Sequence, residues 1–402
     1  MKIIGLITEY NPFHNGHEYH IKQALETTNA DAAIVVMSGD FVQRGTPAIM
    51  PKHIRAKAAL QAGASLVIEL PVCYACASAE FFAYGAVATL HELGCVDAIC
   101  FGSECGDIDK LKEIAAILAD EPSDYSNRLQ LYLKQGYSFP VSRSLALKDY
   151  TGSEDLSSIL SSPNNTLGIE YLKAIYRLNS TMDATTILRK QSSYHDEELS
   201  STYSSASAIR NHFSLDEQLN PDISRQMPEY FYDEIVKSYN KRFPVEANDF
   251  SLLLKYKLLT ETKESLTKYA DVTNDLANRI INKKNEFHSW NQFCDLLKTK
   301  ELTYSRISRA LLHILLEVPA TREIPYARIL GFRKDKNEIF SILKQHSKIP
   351  LVTKISQTSH LSESGVQMLQ KNILCSDLYE SIISNKFNQP FISEHKKQLC
   401  II

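Results

Sequence analysis

The first hundred residues alternate unbroken apolar runs with segments whose apolar positions recur every three or four residues. KIIGLIT (2–8) reads as a buried strand, and HEYHIKQALETT (17–28) as an amphipathic helix. DAAIVVMSG (31–39) reads as a second strand ending in glycine. PKHIRAKAALQAG (51–63) predicts a helix with proline at its start and glycine at its stop. SLVIELP (65–71) is a third strand, AEFFAYGAVATLHELG (79–94) a third helix and VDAICFGSE (96–104) a fourth strand. Apolar strands separated by helices predict an α/β fold, a Rossmann-type parallel sheet covered on both faces. Ligands of such sheets bind beyond the carboxyl ends of the strands, where His14, Gly39 and Gly102 all fall.

The pattern loosens through 105–160 and resumes with a helix over 164–178 and a strand over 183–190. Beyond about residue 215 the strand signal fades, and DFSLLLKYKLLT, SRISRALLHILLEV and ESGVQMLQKNILCSDLYESIISN carry apolar residues at helical spacing. The expected division is therefore a catalytic domain over 1–212 and a mainly α-helical region over 213–402. One strand–turn element is expected around PYARILGFRK (325–334).

Composition adds limits. A chain of 402 residues with 44% hydrophobic and 23% charged positions suits a folded protein of two or three domains. Its apolar runs fall short of the roughly 20 residues of a membrane helix. The amino terminus turns polar too early for a secretory signal, so the expected setting is cytoplasmic, with no membrane partner. Cys73 and Cys76 form a C-x-x-C without a second pair, in apolar surroundings that predict buried thiols rather than zinc. The net charge of −3 is unevenly spread. Residues 1–212 hold 17 Lys and Arg against 24 Asp and Glu, and the rest hold 27 against 23. That asymmetry fits a small-molecule site followed by a polyanion-facing region, or equally a set of ordinary solvated helix faces.

The chemistry concentrates in ITEYNPFHNGHEYH (7–20), where the first strand turns into the first helix. A helix starting near Gly16 aims its unpaired N–H groups and positive dipole end at whatever lies above the strand, and phosphate is the natural guest. Gly16 lets backbone approach a ligand, and His14 and His17 can direct N–H groups at the same oxygens. Nucleotidyl transfer needs positioning and relief of charge growing on phosphate, which such a corner supplies. Spacing alone equally allows two polar residues in a surface turn.

HNGH after an amino-terminal strand resembles the H-x-G-H signature of the nucleotidyltransferase superfamily. SSASAIR (204–210) resembles its second motif, I-S-x-T-x-I-R, with serine for threonine at 207 and serine for isoleucine at 204. More closely, GLITEYNPFHNGHEYH, MSGDFVQRGTPAI, SLVIELP, FGSECGDI, PNNTLGIEY and SSYHD together resemble the bacterial tRNA(Met) cytidine acetate ligase family. That resemblance implies a nucleotidyltransferase-like fold and an ATP-dependent ligase. Such an enzyme activates acetate as acetyl-adenylate and acetylates N4 of the wobble cytidine of elongator tRNA(Met). It implies His14 and His17 as catalytic residues. The implied ATP site comprises Ile7, Thr8, Glu9, Tyr10, Asn11, Pro12, Phe13, His14, Asn15, Gly16, His17, Glu18, Tyr19 and His20, completed by Gly102, Asn164, Asn165 and Arg189. By analogy with the second motif, Ser205, Ser207 and Arg210 would hold the outer phosphates.

Mg²⁺ is expected with ATP, although no carboxylate cluster reveals its ligands. Arg44 in the loop after the second strand, and Lys52, Arg55 and His53 on the next helix, are candidates for phosphate or RNA contact; for Arg44 a structural salt bridge fits as well. Tyr194, His195 and Asp196 precede the second motif and could support it. NKKNEF (282–287), SRISR (305–309) and GFRKDK (331–336) interleave basic and aromatic residues, as an RNA-facing surface would. Two rival readings remain: an adenylyltransferase building a small cofactor, and a non-catalytic ATP-binding RNA scaffold. Oligomeric state stays open.

Overall fold

The computed structural model describes residues 1–189, 204–213 and 219–402. Eight strands form its main sheet. They are β1 (Ile3–Thr8), β2 (Ala32–Ser38), β3 (Leu66–Leu70), β4 (Ala98–Ser103), β5 (Asp183–Leu188), β6 (Ala327–Phe332), β7 (Leu351–Val352) and β8 (Cys400–Ile401). The path across the sheet runs β8–β6–β3–β2–β1–β4–β5, with β7 also paired to β6. β1 lies parallel between β2 and β4, with Leu6 level with both Val35 and Cys100. β2 pairs parallel with β3, and β4 with β5.

Because successive strand residues face opposite sides, the apolar runs split into two cores. Ile3, Ile7, Ile34, Val36, Leu66 and Ile68 face one side and associate with Phe82, Leu90, Ile169 and Leu172. Those partners lie on α3 (Ala79–Glu92) and α5 (Pro163–Arg177). Ile4, Leu6, Ala33, Val35, Met37 and Val67 face the other side, against Ile21, Ala24, Ala56, Leu60, Phe231 and Ile235. These come from α1 (Asn15–Thr28), α2 (Lys52–Gln61) and a helix over Glu229–Ser238. Each fully buried aliphatic side chain contributes roughly 1.5–3 kcal/mol, so strands with no polar interior position belong in the middle of such a sandwich.

The expected strands and helices of residues 1–104 are all present, within about two residues at each end. Between β4 and α5 stand α4 (Ile108–Asp120) and three further helices over Ser123–Lys134, Phe139–Thr151 and Glu154–Ile159. The later half is mainly helical among the described residues, including α6 (Ala206–Asn211), α7 (Tyr304–Leu316) and α8 (Glu363–Phe387). The expected strand near 325–334 is β6, and it does not stand apart. β6 pairs antiparallel with β3, Ile329 opposite Ile68, so the sheet draws strands from both sides of residue 212. Among the described residues, no helix is long and apolar enough to cross a membrane.

Candidate active site

β1 ends at Thr8, and the chain reaches α1 through Glu9–His14. His14 is the N-cap of α1, and its Nδ1 accepts the Gly16 N–H at 3.0 Å. In return His17 Nδ1 accepts the His14 N–H at 3.3 Å, closing a reciprocal capping box made of two imidazoles. The rings stack with centroids 3.7 Å apart at 28°. A neutral imidazole has one donor nitrogen and one acceptor. With both Nδ1 atoms accepting from backbone, each ring is set as the Nε2–H tautomer. Burial, then Arg189 and Arg210, pushes His14 down to about 3. Burial, then His14 and Arg189, holds His17 well below its ordinary value, and burial takes His20 to about 4. The rings are therefore neutral N–H donors at pH 7, not the cations that a histidine-rich motif suggests.

Gly16 is required here for a steric reason. A Cβ at that position would sit 2.9 Å from His14 Cε1 and 3.1 Å from its Nδ1, displacing the capping ring. Phe13, fully buried, meets Tyr10, His17 and Phe231 edge-on or tilted, with centroids 4.9 to 5.8 Å apart. This wall fixes one side of the stacked pair.

α6 brings the second motif to the same corner. Ser205 caps it, its Oγ accepting the Ala208 N–H at 3.0 Å. Arg210 then donates Nη1 to the Asn11 carbonyl at 2.6 Å and Nη2 to Ser207 Oγ at 2.9 Å. Burial lowers Arg210 to about 10, so it remains a cation. Asn11 is held in turn, its Oδ1 accepting the Ile49 N–H at 2.8 Å. Glu9 accepts the Gln43 N–H at 2.7 Å, and burial raises its affinity for a proton.

The far side of the corner is built at the end of β4. Arg189 follows β5, and its stem lies over Gly102, where an added Cβ would come within 3.2 Å of Arg189 Cγ. Asn164 and Asn165 open α5. Asn164 Nδ2 and the Asn165 N–H donate to the two oxygens of Glu104, at 2.6 and 2.8 Å. Asn165 Oδ1 accepts the N–H groups of Glu104 and Cys105 at 2.9 and 3.1 Å. Asn165 is thus turned inward and braces the β4 loop, while Asn164 stays half-buried at its edge. Glu104 had no signal of its own in the sequence. Its role becomes visible only when the start of α5, 60 residues later, lands on it.

Elsewhere in the 7–20 stretch, Asn15 Nδ2 donates to the Arg225 carbonyl at 2.8 Å, and Glu18 pairs with Lys22 at 2.9 Å. Tyr194, His195 and Asp196 lie outside the described residues.

Two candidates for polyanion contact are corrected. Lys52 and Arg55 are fully buried. Arg55 directs its guanidinium at the carbonyls of Glu9, Ser38, Gly39 and Met50. Lys52 Nζ lies among Glu69, Glu394 and Asp40 at 2.7, 3.0 and 3.6 Å. No RNA phosphate reaches either. His53, partly exposed, bonds Glu394 through Nε2 at 2.9 Å. Arg44 differs, being exposed at the turn of the loop after β2. The C-x-x-C thiols are free, and burial raises Cys73 to about 12. Among the described residues no group of three or more His, Cys, Asp or Glu side chains could hold a metal ion. Mg²⁺ characteristically rides on substrate phosphates with few protein ligands, which suits a site rich in N–H donors.

Comparisons with known proteins place the whole chain among relatives. A model of the HIGH nucleotidyl transferase family matches residues 1–394. A tRNA(Met) cytidine acetate ligase of Alkaliphilus metalliredigens is 40% identical over 404 residues, covering 96% of this chain and 95% of that protein. The protein of the same name in Clostridium acetobutylicum is 44% identical over 372 residues, covering 89% and 91%. Among solved structures, apo Thermotoga maritima TmcAL superposes with a TM-score of 0.93 at 31% identity, over 100% of both chains. The same protein bound with alpha-thio ATP gives 0.90, over 100% and 99%.

Proposed function

The chain belongs to the HIGH nucleotidyl transferase family, and from that premise we propose that it acts as a tRNA(Met) cytidine acetate ligase. ATP docks over the start of α1. An acetate oxygen attacks the α-phosphorus, the bond from that phosphorus to the bridging oxygen of the β-phosphate breaks, and pyrophosphate leaves. The product is acetyl-adenylate. The exocyclic N4 of the wobble cytidine of elongator tRNA(Met) then attacks the acyl carbon, AMP departs and N4 loses a proton. No protein nucleophile is needed, since the mixed anhydride already carries a good leaving group.

What the chain supplies is placement and N–H groups where charge grows. The observation that carries the reading is the reciprocal histidine cap, which leaves two neutral Nε2–H groups unused by the cap, with Arg210 close enough to His14 to act on its charge. Neutral donors suit this role because they are fixed before reaction. Donors preset toward a developing oxyanion stabilise the transition state more than the ground state. Ser207 and Arg210 would meet the outer phosphates, and Mg²⁺ would enter with them as part of the substrate. Arg189, Gly102 and Asn164 would border the nucleotide on the β4–β5 side. Residues 1–212 would supply this site, and the helical remainder would receive the tRNA.

The test is acetate-dependent exchange of labelled pyrophosphate into ATP, followed by acetylation of tRNA(Met) and nucleoside mass spectrometry. Exchange that needs acetate, and a mass gain on the wobble cytidine, support the proposal. Exchange that ignores acetate but responds to a phosphorylated cofactor precursor would replace it.

A further inference from the structure

Four charges close a ring inside the protein, on the side of β2 away from the histidine cap. Lys52 Nζ contacts Glu69 Oε1 at 2.7 Å and Glu394 Oε1 at 3.0 Å. Arg328 completes the circuit, reaching Glu69 Oε2 at 2.8 Å and Glu394 Oε1 at 2.5 Å. Lys52 also donates to Ser376 Oγ on α8 at 2.6 Å. The side chains of Lys52 and Glu394 have no exposed surface, and those of Glu69 and Arg328 only 5% and 6%. The members come from α2, β3, β6 and the segment after α8, so the ring joins the beginning of the chain to its late part.

A buried ring of this kind is a poor device for stability, because apolar side chains of equal volume commonly do as well or better. Its distinctive property is direction, since charge-assisted contacts fix angles as well as distances. The direction it fixes points at the candidate active site. Lys52 Nζ is 3.6 Å from Asp40, whose Oδ1 also accepts the Lys52 N–H at 2.9 Å. Asp40 opens the loop that runs to Met50. That loop gives the Gln43 N–H to Glu9 and the Ile49 N–H to Asn11, and carries Arg44. Arg44 lies close enough to Glu9 and Arg210 to act on the charge of both. The later helices grip the same loop: Tyr379 donates its hydroxyl to the Ala48 carbonyl, and Ser308 to that of Gly45, each at 2.7 Å.

We infer that Glu394 is a positioning residue for the nucleotide site, acting through Lys52 and Asp40 on the loop that supports Glu9 and Asn11 and presents Arg44. The inference rests on the ATP site proposed above. It makes the segment after α8 a part of the small-molecule site rather than of an RNA-binding appendage.

The test uses the full chain with Glu394→Gln, which keeps the shape and removes the charge. Two quantities are read together: the folded fraction by urea unfolding, and the dissociation constant of labelled ATP by equilibrium dialysis. Loss of folded protein lowers the number of binding sites but leaves the dissociation constant alone. The expected result is a rise on the order of tenfold in that constant. Arg44→Ala added to Glu394→Gln should weaken binding by less than the product of the two single effects. If Glu394→Gln does not fold, Arg328→Met with Glu394→Leu removes one charge of each sign and leaves Lys52 with Glu69 and Asp40. The same weakening is expected there. An unchanged constant in the folded variant, or independent effects of Arg44 and Glu394, overturns the inference. So does failure of both variants to fold, because the ring would then serve folding alone. Absence of acetate-dependent exchange in the wild type would remove the proposed reaction while leaving this ATP-binding test intact.

Discussion

The histidine cap with Arg210 and the ring around Lys52 are built from similar material, basic residues at the carboxyl ends of neighbouring strands, yet they are opposites. At the ring, each cation meets carboxylates within 3.0 Å, and Lys52 and Glu394 are shut away from water. At the cap, Arg210 donates to a carbonyl and a hydroxyl, and the imidazoles are neutral donors gripped by backbone. A ring with its counter-ions in place has no need of a ligand. A guanidinium that donates to uncharged oxygens keeps its attraction for an anion. The charge balance of a corner, rather than its count of basic residues, separates a substrate site from a strut.

Breaking the ring should give the largest effect. Glu394→Ala strands Lys52 and Arg328 with Glu69 and Asp40 in a dry interior. Removing one partner of a buried pair typically costs about 3–5 kcal/mol, so the urea midpoint should fall sharply. At the cap the effect should be on reaction instead. His17→Ala removes one donor from the developing charge and should slow pyrophosphate exchange on the order of a hundredfold, with the fold retained. Near wild-type exchange in that variant would reassign the ring as structural.

The two corners also part on pH. Unfolded histidines take up a proton near 6.5, whereas His14 in the fold resists until about 3 and His20 until about 4. Between these values the unfolded chain holds more protons, so stability is complete above pH 6.5 and is lost as pH falls. The ring behaves otherwise. Burial alone would raise Glu394, but Lys52, His53 and Arg328 outweigh it and hold the carboxyl far below its ordinary 4.5, so its contribution persists until stronger acid. Stability measured from pH 7 to 5 therefore reads the cap histidines, together with the likewise buried His313, and not the Glu394 carboxyl. His14→Asn should reduce the slope by close to one proton at the acid end of that window, roughly 1.4 kcal/mol per pH unit near pH 5, and by less near pH 7. An unaltered slope would mean that the His14 ring titrates normally.

What the sequence disclosed follows the same division. Strands and helices over 1–104 were readable because each depends on apolar spacing within a dozen residues. The stretch that forms the histidine cap could be singled out because Gly16 and His17 are near neighbours of His14, but the spacing did not foretell that the two imidazoles cap the helix themselves. Lys52 and Arg55 were misread as polyanion contacts because the groups that neutralise them are distant. Glu69 lies 17 residues from Lys52, Ser376 lies 324 away, and β6 carries Arg328 into the sheet from beyond α7. Asn165 was expected in the ATP site through the family resemblance, but its inward turn depends on Glu104, 61 residues back. Helical spacing in the later half disclosed helices but could not show that three strands from that half, β6, β7 and β8, would extend the sheet.

A smaller change separates geometry from stability at the cap. Gly16→Ala puts a Cβ 2.9 Å from His14 Cε1, so the ring must turn, while alanine favours the helix by up to about 1 kcal/mol over glycine. Thermal stability should hold or rise slightly as ATP affinity drops, on the order of tenfold. Equal affinity with higher stability would show that the orientation of the ring is not what binds nucleotide.

The smallest expected stability change is also the mirror of the first. Arg44 sits exposed at its turn, on a loop that Asp40, Gln43, Ala48 and Ile49 also hold. Arg44→Ala should change the unfolding free energy from urea titration by no more than about 0.5 kcal/mol, the usual range for surface positions. Its ATP affinity should nevertheless fall, because the charge it brings toward Glu9 and Arg210 goes with it. Glu394 and Arg44 would then mark the two ends of one support. Loss of the buried end costs stability and binding together, and loss of the exposed end costs binding alone. If Arg44→Ala instead destabilised the fold as Glu394→Ala does, Arg44 would belong to the strut, and the phosphates would have to be met by Arg210 and the cap without it.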